Sequence, residues 1–141
     1  MGGLDLATAR RLADDVLAEG RHRALPPLAV AVLDERGVLR VLVAEDAVGL
    51  LRPDIAVAKA WGVLGMGRSS RAMGARAAEA PAFFGALSAL SGGRVVPVPG
   101  GVPVMGAHGL LGAVGVSGAS SDDDEACALA AIASSGLRSE A

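Results

Sequence analysis

Two sets of apolar runs, joined by turns only a few residues long, constrain this sequence most. Residues 28–33 are continuously apolar, Asp34-Glu35-Arg36-Gly37 reads as a turn, and residues 38–44 continue the apolar pattern. A connection that short cannot carry a crossover, so the two runs are expected to form an antiparallel hairpin. Three more strand-like runs, residues 94–98, 102–105 and 110–116, are divided by Pro99-Gly100-Gly101 and Ala107-His108-Gly109. Five strands in a mainly antiparallel sheet are the expectation.

Helical periodicity fills the remainder. Leu6, Ala9, Leu12, Ala13, Val16 and Leu17 mark an amphipathic helix over residues 5–20, with Gly20 as its expected end. Pro53 and Asp54 suit the first turn of a helix running to about residue 64. Ser69 or Ser70 caps a second helix to about residue 80, and Pro81 starts a third through Leu90. A last helix is expected over residues 121–135, with Ser121 and Asp124 as a capping box and Gly136 as its stop. Helices packed against a sheet make an α+β chain, read as one domain over residues 1–141.

The side chains available are small: 52% of residues are hydrophobic but only 2% aromatic. A formal net charge of −2 leaves no electrostatic footprint for nucleic acid. The single cysteine, Cys127, excludes an intrachain disulfide and a multi-cysteine zinc site. Asp5, Asp14 and Asp15 interrupt any signal-like apolar run, and no stretch is long enough to span a membrane. The expected location is cytoplasmic.

Four acids, Asp122 to Glu125, crowd the start of the last helix. They complement its dipole and oppose phosphate binding by the preceding Gly115-Val116-Ser117-Gly118, which lacks dinucleotide or P-loop spacing. Lys59 is the only lysine among 13 basic residues, and it sits in the apolar run Ile55-Ala56-Val57-Ala58-Lys59-Ala60-Trp61. It either snorkels to water or serves a cleft as an acid, base or anion anchor. His22 and His108 are the only imidazoles, and either could ligate haem iron or transfer protons. Ser117 lacks the spacing of a nucleophile elbow, so a catalytic triad is not expected.

Taken in order, Leu25-Pro26-Pro27-Leu28-Ala29-Val30-Ala31-Val32-Leu33-Asp34, Ile55 to Ala60, Pro99-Gly100-Gly101-Val102-Pro103-Val104 and Gly115-Val116-Ser117-Gly118 with Asp124-Glu125 resemble the GlcG/HbpS family. The resemblance implies a profilin-like fold with a five-stranded antiparallel sheet flanked by helices. It implies homo-oligomers, octamers among them, with a small-molecule pocket between subunits and haem as the cofactor of some members. Lys59, Gly100, Gly101, Pro103, Gly115, Ser117, Gly118 and Asp124 match the pattern and resemble that pocket's lining. The chain departs from it at Gly118-Ala119-Ser120-Ser121 and at residues 66–71, and no matched position supplies an axial haem ligand.

Three functions follow as expectations. In the first, Arg52, Lys59, Gly100, Gly101, Ser117 and Gly118 bind haem, another tetrapyrrole or an anionic metabolite, with Arg68 as a further cation. In the second, Lys59 acts as acid or base with Asp124 in a cofactor-independent isomerase, hydratase or cyclase. The third is an oligomer without a ligand.

Overall fold

The computed structural model describes residues 3–141. Its elements run α1 (Leu6–His22), β1 (Ala29–Asp34), β2 (Leu39–Ala44), α2 (Arg52–Met66), α3 (Ser70–Glu79), α4 (Pro81–Leu90), β3 (Gly101–Gly106), β4 (Gly109–Ser117) and α5 (Ser121–Ser134). The strands form one sheet in the order β2-β1-β4-β3, with every pair antiparallel.

β1 is buried along its whole length. Val30 and Val32 face α1 and α5, where they meet Leu12, Val16 and Ile132; Ala29, Ala31 and Leu33 face α2 with Ala56, Ala60 and Val63. A strand covered on both faces reads as a continuous apolar run, which is why residues 28–33 show no alternation. The small residues on the α2 side let that helix lie close to the sheet.

Among the described residues the sheet has four strands, not five. Residues 94–98 are irregular, because Gly92 and Gly93 turn the chain through positive φ and Pro97 and Pro99 have no N–H for a ladder. The Val98 N–H instead folds back to the Val96 carbonyl. The Arg94 and Pro97 carbonyls lie against Gly62 of α2 and Gly74 of α3, so the segment crosses helices rather than extending the sheet.

Two helix boundaries also differ from expectation. Gly20 does not end α1; it is buried within it, where a Cβ would lie 2.5 Å from Leu28 Cδ1. At α5 the cap is Ser120, whose hydroxyl accepts from Asp123 N–H at 3.1 Å and donates to Asp123 Oδ2 at 2.9 Å. The Ser121–Asp124 box therefore does not form, and Asp124 is free to turn inward.

Candidate functional site

α2 crosses β4 at very short range. A Cβ on Gly115 would stand 2.0 Å from the Ala56 carbonyl oxygen, so only glycine permits this approach. One turn further along α2, Lys59 reaches the end of β4 and the start of β3. Gly100, with φ 129°, makes room for its ammonium, since a Cβ there would lie 2.6 Å from Nζ.

Lys59 is 2% exposed and Asp124 1%. Lys59 Nζ donates to the Val116 carbonyl at 2.9 Å and to Asp124 Oδ2 at 3.1 Å. Asp124 Oδ1 accepts from the Ala119 N–H at 2.9 Å. Burial pushes the Lys59 ammonium below the usual lysine range and the Asp124 carboxyl above the usual carboxylate range. Each partner's charge opposes the other's shift, while the nearby Arg52 pushes both downward. The pair thus ties α2, β4 and α5 together at one point.

Arg52, at the start of α2, donates from Nη1 to the fully buried Ser117 hydroxyl at 3.3 Å. It is half-buried, and the two residues before it, Leu50 and Leu51, are 91% and 65% exposed. A cation held by a buried hydroxyl therefore stands beside exposed apolar side chains.

The structure brings Arg52, Lys59, Gly100, Gly101, Ser117 and Asp124 together at one end of the sheet. The Gly100 carbonyl accepts from Val116 N–H, which joins the two glycine segments directly. Gly118 follows Ser117 directly, and a Cβ on it would stand 2.2 Å from the Pro27 carbonyl oxygen. Arg68 lines a separate groove with Met105 and Leu110. His108 follows β3 at the far end of β4 from Ser117, and His22 lines a groove between α1 and α5 on the opposite sheet face. Neither imidazole reaches Arg52.

Several supporting residues escaped the sequence reading. The Ser70 hydroxyl accepts from Gly101 N–H at 2.7 Å and donates to Gly101 O at 3.2 Å. Arg71 grips the buried Glu125 at 3.0 Å and 3.1 Å, and also pairs with Asp122. So the acidic cluster is not only dipole compensation: Asp124 and Glu125 are turned inward to partners on α2 and α3. Cys127 is buried, with its thiol pushed up to about 11 by desolvation, as suits an inert core residue. Among the described residues no group of three or more His, Cys, Asp or Glu side chains is placed to hold a metal ion. No described helix is long and apolar enough to cross a membrane.

Comparison with known proteins places this geometry in context. Residues 4–133 match the family described as haem degrading protein, HbpS-like. The structure resembles PduOC in its complex with haem, with a TM-score of 0.87 and 23% identity over 96% of this chain and 97% of that one. It resembles the Klebsiella pneumoniae protein ORFY, with a TM-score of 0.84 and 24% identity over 92% and 88% of the two chains. It also resembles a double mutant of Streptomyces reticuli HbpS, with a TM-score of 0.82 and 25% identity over 95% and 88%. No curated protein matches. At these identities the structural likeness is one of fold.

Proposed function

The chain belongs to the HbpS-like family of haem-degrading proteins, and from that premise we propose that it binds haem or a related anionic tetrapyrrole at the Arg52 end of its sheet. The observation that carries this reading is the pairing of chemistries there. Arg52 keeps guanidinium donors beyond its one bond to Ser117, and Leu50 and Leu51 expose apolar surface beside it. A macrocycle with apolar faces and carboxylate edges needs both: charge-assisted bonds at the edge and dry contact along the face.

The residues fit the organic part of haem. They do not include an imidazole for the iron, because His22 and His108 lie elsewhere. When bound, haem would supply a redox-active iron. This chain's part is to grip the carboxylates through Arg52, with Ser117 fixing the guanidinium, and to offer Leu50 and Leu51 to the ring. Lys59 and Asp124 hold the Val116–Ala119 backbone beneath that grip. A homo-oligomer supplies the second wall, since one chain leaves the leucines open.

The enzyme reading draws on the same Lys59–Asp124 pair, whose opposed pKa shifts suit proton exchange. Both groups are closed from water and bonded within the chain, so this reading needs an opening at Gly100.

Haemin titration followed by visible absorbance tests the proposal. The intact protein should give a saturable shift of the Soret band. Arg52→Ala should weaken it by about 10-fold, consistent with loss of one charge-assisted contact. Native mass spectrometry of fresh protein should show the tetrapyrrole mass on an oligomer. A flat titration, or equal affinity for haem and for its propionate dimethyl ester, would sink the assignment.

A further inference from the structure

The two edges of the sheet are treated differently. Along β3 the outward backbone groups are all closed. Gly101 gives both its N–H and its carbonyl to the Ser70 hydroxyl. Pro103 has no N–H, and its carbonyl accepts from the Ser139 hydroxyl. Met105 exchanges both of its backbone bonds with Arg138, at 2.8 Å and 3.0 Å. No further strand can add there without displacing these partners.

β2 is the reverse case. Glu45 N–H donates to the Leu28 carbonyl, so by strand alternation Val41 and Val43 also turn toward β1, while Leu42 and Ala44 direct their backbone groups outward. Leu42 is 42% exposed and Ala44 is exposed as well. Arg40 is the only charged residue of the strand, and its guanidinium is turned back to the Leu4 carbonyl at 2.9 Å and toward Asp34. Natural edge strands are commonly guarded by an outward charge or a proline, and residues 41–44 carry neither.

From this asymmetry we infer that β2 is an interface, and that its occupant is the β2 strand of a second copy of this chain, paired antiparallel about a two-fold axis into an eight-stranded sheet. The charge order favours that partner. Arg40 stands at one end of the strand, and at the other Glu45 is bonded within its own copy to Arg21 and the Leu28 N–H while Asp46 is exposed, so antiparallel self-pairing sets Arg40 of each copy beside Asp46 of its mate. The register that puts Leu42 opposite Ala44 of the other copy satisfies the open groups twice and opposes no like charges. The interface is isologous and closes after two copies, which removes the free edge instead of propagating it. The inference is independent of the ligand at Arg52.

Light scattering and amide hydrogen exchange test it together. The unmodified protein should exceed monomer mass at micromolar concentration, and the Leu42 and Ala44 amides should be as protected as those of Val41 and Val43. Ala44→Pro deletes an outward N–H that β1 does not use, and Leu42→Lys places a charge on the exposed edge. Each should lower the mass and release the Leu42 amide while far-ultraviolet circular dichroism is unchanged. If Ala44→Pro misfolds, Leu42→Lys and the exchange pattern of the unmodified protein still decide. A monomer, an assembly that survives Leu42→Lys, or outward amides that exchange freely within the assembly overturns the inference. So does an assembly that dissolves with Leu90→Lys on the exposed face of α4 but not with the β2 substitutions.

Discussion

Lys59 and Asp124 share a space from which water is excluded, so neither can lose its partner cheaply. Lys59→Met removes the ammonium and leaves the carboxylate buried beside the Ala119 N–H alone. Breaking a buried pair from one side costs about 3–5 kcal/mol, whereas replacing both members by apolar residues is often near neutral. Denaturant unfolding should therefore show a large loss for Lys59→Met and recovery of most of it in Lys59→Met with Asp124→Leu. Equal instability of the single and double variants would show that the charge is not the cause. The pH dependence has a definite sign. Burial already raises the Asp124 pKa above 3.8, and loss of Lys59 raises it further. A carboxyl with a raised folded pKa contributes its stability below the unfolded value and loses it as pH rises through the folded value. The single variant should thus lie closest to the unmodified protein at acid pH and fall away toward neutrality. Much of this site was legible, because a lone lysine in an Ala/Val helix and an acid at a helix start are unusual in themselves. Ser70, Arg71 and Glu125 were not, since their partners lie 31 and 54 residues away and each has an ordinary local role as cap, solvated cation or dipole acid.

Between elements, the closeness of α2 to β4 sets where every site residue falls. Gly115→Ala should push the helix off the sheet, with a cost of about 1–3 kcal/mol from overpacking and a weakened haemin response. Gly85, in the middle of α4, has open space where a Cβ would stand. Gly85→Ala should stabilise the protein by about 0.5–1 kcal/mol through helix propensity alone. Thermal melts of the two variants moving in the same direction would contradict the packing argument. The hairpin β1–β2 was legible from its turn, and α2 from Pro53 and Asp54, because those signals are local. Residues 94–98 misled because Val95, Val96 and Val98 have strand propensity, while the decisive facts are a missing N–H at each flanking proline and the nearby surfaces of α2 and α3. The end of α1 misled for a related reason: Gly20 lies against the Leu28 side chain inside the helix, and the chain leaves the helix only at Ala24, with φ 55°.

Across the whole molecule, stability is unevenly placed. β1 and β4 are the inner strands, and α1, α5 and α2 cover their two faces. α4 lies outside this sandwich and packs chiefly on α3. Phe84 is its one buried residue, whereas Phe83 and Leu90 face outward. A segment with so little apolar burial can open without disturbing the sheet, at a free energy below that of global unfolding. Native-state hydrogen exchange should therefore find the α4 amides opening first among the helices, with a weak denaturant dependence that reports the small surface exposed. The β1 and β4 amides should exchange only through global unfolding. Protection of α4 equal to that of α2 would mean that another surface covers it. Repeating the measurement across protein concentration identifies that surface: protection that grows with concentration on α4 assigns the contact between copies to the helix. Growth confined to Leu42 and Ala44 assigns it to the open edge of β2, and leaves α4 as the part of the fold most free to move.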